Sequence, residues 1–281
     1  MSDAFNADLH CHSLVSDGTL APATLARRAR DNGVQLWALT DHDELGGIAE
    51  ARAACADIGL DFVAGVEVSV SVDDQTVHVV GLGIDPVHAG LRERLRGMSE
   101  GRDARARRMA EALREHTGVE DAYAGACRLA GNPALISRTH FARHLVERGV
   151  CANTGEVFAR FLTPGKPGYV EHAWATLEQA LGWIREAGGL PVLAHPGRYR
   201  FTPLRERELL ARFVELGGAG IEVVTGSHSA ADWRKYAALA REFGLRASRG
   251  SDFHCPRESR CDLGRLPRLP EGLSPIWDLL H

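Results

Sequence analysis

Two histidines one residue apart, in the run Asp8-Leu9-His10-Cys11-His12, are the first residues in this chain whose types and spacing could do chemistry. Side chains alternate along an extended strand, so His10 and His12 share one face while Leu9 and Cys11 turn to the other. Two neutral imidazoles side by side suit zinc, manganese or iron, since neither brings a charge that repels its neighbour. A pair of merely hydrogen-bonded histidines would look the same, so the rest of the pattern matters. Asp17 follows in the next loop, His42 lies in Thr40-Asp41-His42-Asp43, and then come Glu67, His78, His195 before Pro196, and Asp252 and His254 in Gly250-Ser251-Asp252-Phe253-His254. These nine nitrogen and oxygen donors exceed what one ion can use. Brought to one face they suffice for two or three divalent ions sharing carboxylates, with Glu67 a candidate bridge.

The elements that must position them alternate in type. Apolar or β-branched runs near Phe5 to His10, Val34 to Thr40, Asp61 to Val72, Val77 to Ile84, Pro191 to His195, Ile221 to Thr225 and Leu245 to Gly250 read as strands. Amphipathic helices are expected between them, as at Ala21 to Asp31, Leu177 to Ala187, Leu204 to Leu216 and Ala230 to Phe243. The pattern implies an α/β fold with a parallel sheet, and seven strands suit a barrel, with an open doubly wound sheet as the alternative. From about Ser99 to Val170 there is helix but no convincing strand. This interval reads as a helical subdomain (99–170) inserted into a discontinuous barrel (1–98 and 171–281). Leaving after the fourth strand near Ile84, it is expected to roof the barrel mouth.

Composition narrows the function. The 281 residues, 44% hydrophobic and 25% charged, describe a globular protein, and a formal net charge of -4 argues against one that coats nucleic acid. No G-x-G-x-x-G or P-loop pattern follows the first strand, against dinucleotide or P-loop binding. The first residues lack a basic segment leading into an apolar core, and no window nears the ~20 apolar residues of a membrane span, so the cytoplasm is the expected location. Six cysteines without a C-x-x-C pair read as reduced thiols.

His10-Cys11-His12, Asp17-Gly18, Thr40-Asp41-His42-Asp43, Gly65-Val66-Glu67, His195-Pro196 and Ser251-Asp252-Phe253-His254 match in order the motifs of the polymerase and histidinol phosphatase (PHP) family, which the chain resembles over nearly the whole barrel. The resemblance implies a distorted seven-stranded (β/α) barrel, phosphoester hydrolysis and three divalent ions, manganese foremost, with zinc or iron as alternatives. By motif position His10, His12, Glu67 and Asp252 would hold one ion, Asp17, His42 and His254 a second, and Glu67, His78 and His195 a third. A metal-bound hydroxide would then be the nucleophile, since coordination lowers the pKa of water to ~7 in favourable sites, while the cations neutralise the phosphoryl oxygens and the leaving alkoxide. Asp41 and Asp43 are candidates for proton handling or, preferably, for orienting the ligating histidines.

The insertion carries the substrate signals. In the helix expected from Arg102 to His116, Ala106, Met109, Ala110 and Leu113 form the apolar stripe and Arg102 and Arg105 lie on or beside it, placed to clamp phosphate. Arg107, Arg108 and Arg114 point away, as a solvated face. Ser137 is a natural N-cap for a second helix, whose Arg138 shares a face with Phe141, Ala142 and Leu145, while His140 and His144 lie opposite as an exposed pair. The segment from Gly131-Asn132-Pro133 to Ser137-Arg138-Thr139-His140 resembles a subgroup in which Arg and His face substrate phosphate, which carries over Arg138 and His140; Asp17 is also expected near substrate. The subgroup implies removal of the 3′-phosphate from nucleoside 3′,5′-bisphosphates such as pAp. A 5′–3′ exoribonuclease on 5′-phosphorylated RNA is the runner-up, with a histidinol-phosphate-type phosphatase behind it, because one phosphate would not require several inward arginines. The 6% aromatic content leaves little for a long base-stacking track. An amidohydrolase-type barrel is disfavoured because neither Lys166 nor Lys235 is placed to bridge metals, and a non-catalytic PHP scaffold because the ligand set is complete. The expected partner is a small nucleotide or short RNA, with no membrane, DNA-scaffold role or obligate protein partner.

Overall fold

The computed structural model describes residues 5–73, 75–130, 133–172 and 174–280. Its strands are β1 (Ala7–Asp8), β2 (Leu36–Leu39), β3 (Asp61–Val72), β4 (Gln75–Leu82), β5 (Leu190–Leu193), β6 (Gly220–Thr225) and β7 (Arg246–Gly250), in that order across one seven-stranded sheet. The sheet comes round on itself just beyond the regular ends of β1 and β7. There Leu9 N donates to Arg249 O, Asp252 N to His10 O and His12 N to Phe253 O, at 2.8–3.0 Å. Gly250 allows this closure, because a Cβ there would stand 2.3 Å from His10 Cβ.

The sheet is not wholly parallel, which corrects the expectation from sequence. β4 runs antiparallel to both β3 and β5, the other pairs being parallel. Only two positions separate Val72 from Gln75, and so short a link can join only antiparallel strands; Asp73 supplies a left-handed residue at φ 51°. β4 therefore starts at the mouth and ends at the far end, so the insertion does not leave from the mouth as expected. Helix α3 (Ala89–Glu100), of 12 residues and so ~18 Å long, carries the chain back, and α4 (Arg102–Thr117) begins at the mouth.

Alternation sorts the strand residues. Val66, Val68, Val70, Val77 and Val79 face outward into the large core shared with α1 (Pro22–Asp31), α2 (Ile48–Ile58), α8 (Leu177–Glu186), α9 (Pro203–Glu215) and α10 (Ala230–Phe243). Val63, Val80, Leu82, Val192 and Ala38 face inward and, with Ile276, fill the closed end of the barrel. Between β4 and β5, α4, α5 (Ala122–Leu129), α6 (Arg138–Glu147), α7 (Thr154–Val157) and a π-helical turn at Phe158–Leu162 bury an apolar cluster of their own around Leu113, Phe141, Leu145 and Leu162. No helix among the described residues is long and apolar enough to cross a membrane.

Candidate metal centre and active site

The open end of the barrel is ionic. Glu67 lies on β3 between the outward Val66 and Val68, and five histidines meet it, the nearest four being His42 Nδ1 at 2.9 Å, His78 Nδ1 at 2.9 Å, His195 Nε2 at 3.0 Å and His12 Nε2 at 3.2 Å. His10 Nε2 stands 3.3 Å from Glu67 and 3.2 Å from His12 Nε2. Asp252 Oδ1 lies 3.2 Å from His12 and 3.6 Å from His254, and Asp17 Oδ1 lies 3.3 Å from His254 and 3.8 Å from His42. All nine residues singled out in the sequence thus converge, each within 3.8 Å of another member.

Many of these contacts are close without being hydrogen bonds. His12 Nδ1, Asp17 Oδ1, His42 Nδ1, Glu67 Oε2, His78 Nδ1 and Asp252 Oδ2 are buried with no aligned partner. His42 Nδ1 is 2.9 Å from Glu67 Oε2, yet the two do not point at each other. Donor atoms that crowd together and aim at common points fit cations between them, since buried polar groups are otherwise paired. Three groups have ligand atoms within 4.8 Å of one another: His12, Asp17, His42 and His254; His10, His12 and Glu67; and His42, Glu67 and His78. These overlap the three sets implied by motif position, with His12 and His42 shared between neighbouring groups.

The electrostatics say the same. Burial would raise the pKa of Glu67, but His78, His10 and His42 outweigh it and hold its carboxyl well below the usual range. Asp17 and Asp252 are depressed likewise against burial, Asp17 by His254 and His42, Asp252 by Arg198 and His10. Burial works against charge on His12, yet Asp252 and Glu67 raise its pKa to about 10, and Glu222 and Glu67 raise His10. His195 falls to about 3 through burial and Arg198. Three buried carboxylates thus draw positive charge toward them, Asp252 from Arg198 and Glu67 and Asp17 from the surrounding histidines.

The carboxylate that orients these histidines was not singled out in the sequence. Glu222, buried on β6 between the outward Ile221 and Val223, places Oε1 2.8 Å from His10 Nδ1 and accepts from His195 N at 2.6 Å through Oε2. Its signal was a lone acid inside an apolar strand. Asp41 and Asp43, expected in that role, hydrogen-bond to no site histidine among the described residues. Asp41 accepts from Ser13 N, Ser13 Oγ and Ser16 Oγ and ties the loop leading to Asp17. Asp43 accepts from Ser69 N and Oγ and pairs with Arg102. Asp8 fixes the last ligand loop, accepting from Ser251 N at 2.8 Å and Gly264 N at 2.7 Å.

Backbone strain concentrates here. Asp43, His195 and Asp252 sit at φ 51°, 27° and 54°, a region costly to non-glycine residues by ~1–3 kcal/mol each. Each is pinned by its own N–H: to Glu67 O, to Glu222 Oε2 and to His10 O.

The helical insertion meets the cluster through arginines and hydroxyls. Arg102, Arg105 and Arg138 line one chamber of about 180 Å³ together with Asp17, His42, His78 and His254. Each guanidinium lies over an aromatic ring: Arg102 4.6 Å and Arg105 5.5 Å from Trp174, Arg138 5.8 Å from Tyr169. Such stacking fixes a cation without neutralising it. Among the described residues neither Arg105 nor Arg138 has an ion pair, and burial with the nearby Arg138 and Arg102 lowers Arg105 to about 10. Thr139 Oγ1 and Ser137 Oγ donate to Asp17 Oδ2 at 2.9 and 3.3 Å, leaving Oδ1 to His254 and His42. Arg143, unremarked in the sequence, donates to Asp17 O at 2.7 Å and pairs with Glu258, docking the insertion onto the barrel.

His140 and His144 are buried, not exposed as the spacing suggested. Helix α6 packs on two sides, so its second face is covered as well. His140 Nδ1 accepts from Ser137 N at 3.0 Å as part of a capping box and does not line the chamber, and His144 Nε2 reaches Asp121 at 3.1 Å. Burial lowers His140 to about 4, so it stays neutral. Gly131 and Asn132, part of the segment that suggested these roles, lie outside the described residues.

The PHP domain model matches residues 8–187, which include six of the nine clustered residues. The chain belongs to the PHP family. Among similar proteins, a 3′,5′-nucleoside bisphosphate phosphatase of Chromobacterium violaceum is 52% identical over 97% of this chain and 95% of its own length. The 5′–3′ exoribonuclease Rnm of Escherichia coli is 42% identical over 97% of this chain and 92% of its own. A solved structure from C. violaceum, described as an amidohydrolase with bound sulfate and no metal, superposes with a TM-score of 0.94 at 51% identity, covering 98% of this chain and 95% of that one. The PHP barrel expected from the sequence is therefore the fold observed.

Proposed function

We propose that this PHP protein is a metal-dependent phosphatase that removes the 3′-phosphate from nucleoside 3′,5′-bisphosphates such as pAp, leaving the nucleoside 5′-monophosphate and phosphate. The observation that carries this reading is the chamber in which Arg102, Arg105 and Arg138 face the His/Asp/Glu cluster: two centres for anions, side by side. The similar phosphatase at 52% identity supports it. Three ions, manganese first, fit the nine donors, held by the residue groups given above. Divalent cations there would supply Lewis acidity toward a phosphoryl oxygen and a water of lowered pKa. The chain's own residues do the rest. Arg105 and Arg138, stacked on aromatic rings and without an ion pair among the described residues, take the 5′-phosphate, and Arg102 joins them from its pairing with Asp43. Glu222 holds His10 and the His195 loop in place, and Ser137 and Thr139 steer Asp17. The insertion at 99–170 acts as the substrate cap.

The test is phosphate release, with manganese supplied, from pAp beside 3′-AMP. Rapid release from pAp and slow release from 3′-AMP is expected; equal rates would remove the 5′-phosphate from the recognition scheme. The exoribonuclease reading gains support from the 42% identical relative.

A further inference from the structure

The geometry points to His228 as a positioning residue of the metal centre, one that acts through the backbone of the loop carrying His195 and Arg198. This rests on the metal-dependent reading above and on no particular phosphoester. The loop after β5 delivers two groups to the site: His195, whose Nε2 is 3.0 Å from Glu67, and Arg198, which pairs with Asp252. Between them the chain makes a single 3₁₀ turn, Pro196–Arg198, entered from His195 at its strained φ of 27°. So short a turn has few hydrogen bonds of its own to hold it.

Its supports come from β6 and the turn that follows it. Glu222 Oε2 accepts from His195 N at 2.6 Å, and His228 Nε2 accepts from Gly197 N at 3.0 Å. Pro196, between them, has no N–H to give. Both N–H groups available from residue 195 to residue 197 therefore end on side chains from one segment. A Cβ at position 197 would stand 2.9 Å from His228 Nε2 and Cδ2, so glycine is what lets the loop come down onto the ring.

The ring itself is fixed on every side. Gly197 N–H can only donate, so Nε2 must accept, and the ring proton sits on Nδ1, which donates to Val223 O at 3.0 Å. The imidazole is buried and stacked on Tyr236, with centroids 4.9 Å apart and planes at 21°. Tyr236 is anchored in turn, its OH donating to Glu206 Oε1 at 2.8 Å, so α9 and α10 hold the outer side of the stack. His228 N donates to Thr225 O at 3.2 Å and Ser227 N to Thr225 Oγ1 at 3.1 Å, which sets the turn that presents the ring. With no acceptor beneath it, Gly197 N–H would have to swing toward solvent, and the turn bearing His195 and Arg198 would swing with it.

The test uses the full chain with His228→Leu, which keeps a comparable volume and removes the acceptor, and His228→Gln, whose carbonyl oxygen restores one. Manganese affinity by chelator competition should be ~10–100-fold weaker in His228→Leu, as for other groups that orient a ligand from behind, and largely recovered in His228→Gln. Amide exchange at Gly197, followed by NMR in metal-free protein, should be at least tenfold faster in His228→Leu and close to wild type in His228→Gln. A His228→Leu protein that loses stability to urea yet binds manganese within twofold of wild type makes His228 structural and overturns the proposal. Should the variants not fold, the wild type decides: ring nitrogen shifts of the Nδ1–H tautomer support the brace, and a proton on Nε2 overturns it. If the wild type binds no manganese, the metal-dependent reading fails, and Gly197 exchange alone judges the hold on the loop. Faster exchange in His228→Leu with recovery in His228→Gln then supports it, and equal exchange in all three proteins overturns it.

Discussion

Replacing Glu222 by glutamine keeps the volume of a buried side chain and changes only its charge and one acceptor. Two donors face the carboxylate, His10 Nδ1 at 2.8 Å and His195 N at 2.6 Å, one on each oxygen. Glutamine can satisfy one of them with its carbonyl oxygen and must turn an NH₂ toward the other. A buried donor left unpaired costs ~1–3 kcal/mol, and the surviving bond loses its charge assistance. If the amide oxygen stays with His195 N, the imidazole of His10 loses the acceptor that keeps its proton on Nδ1 and frees Nε2 for the cluster. If it stays with His10, the His195 loop, at φ 27°, loses the bond that pins it. Either way the site loosens, and removing such a support typically lowers metal affinity or activity 10–100-fold. The expected outcome is a folded protein, ~2–3 kcal/mol less stable by urea denaturation without metal. Its manganese affinity by chelator competition should be at least tenfold weaker. Wild-type affinity in a folded Glu222→Gln variant would refute the assignment of Glu222 as the positioning group.

Arg138→Ala should reduce kcat/KM for pAp by ~10–100-fold, as loss of a charge-assisted hydrogen bond of ~1.5–3 kcal/mol implies, and leave 3′-AMP nearly unaffected; equal loss on both substrates would make Arg138 structural. In metal-free protein, His12 has its pKa raised to about 10, so its stabilising contribution is complete below ~6.5 and is lost as pH rises through about 10. The melting temperature of chelated protein should therefore fall across that window, while manganese-loaded protein, in which cations replace those protons, should show a flatter profile; parallel profiles would contradict the picture. Gly250→Ala forces a Cβ to 2.3 Å from His10 Cβ and should destabilise the barrel closure by several kcal/mol, read as loss of soluble protein or of metal binding; a stable, metal-binding variant would show that the β1–β7 junction can yield.

The donors of the metal cluster could be read from sequence because a strand's period of two puts chosen side chains on one face, and nine donors near strand ends leave few other arrangements. The run of helices between β4 and β5 was legible from a break in the strand–helix alternation, and the inward Arg102 and Arg105 from their place on a helix's apolar stripe. Three things depended on tertiary structure. The direction of β4 follows from a two-position link whose consequence appears only when β3 and β4 pair, and that direction moved the root of the insertion to the far end of the barrel. The burial of His140 and His144 reflects packing on both sides of α6, which a single-faced periodicity does not encode. Glu222, Thr139 and Arg143 act through partners 212, 122 and 126 residues away in sequence, and pairings at such separations are made by the barrel's closure and the docking of the insertion, not by any local pattern.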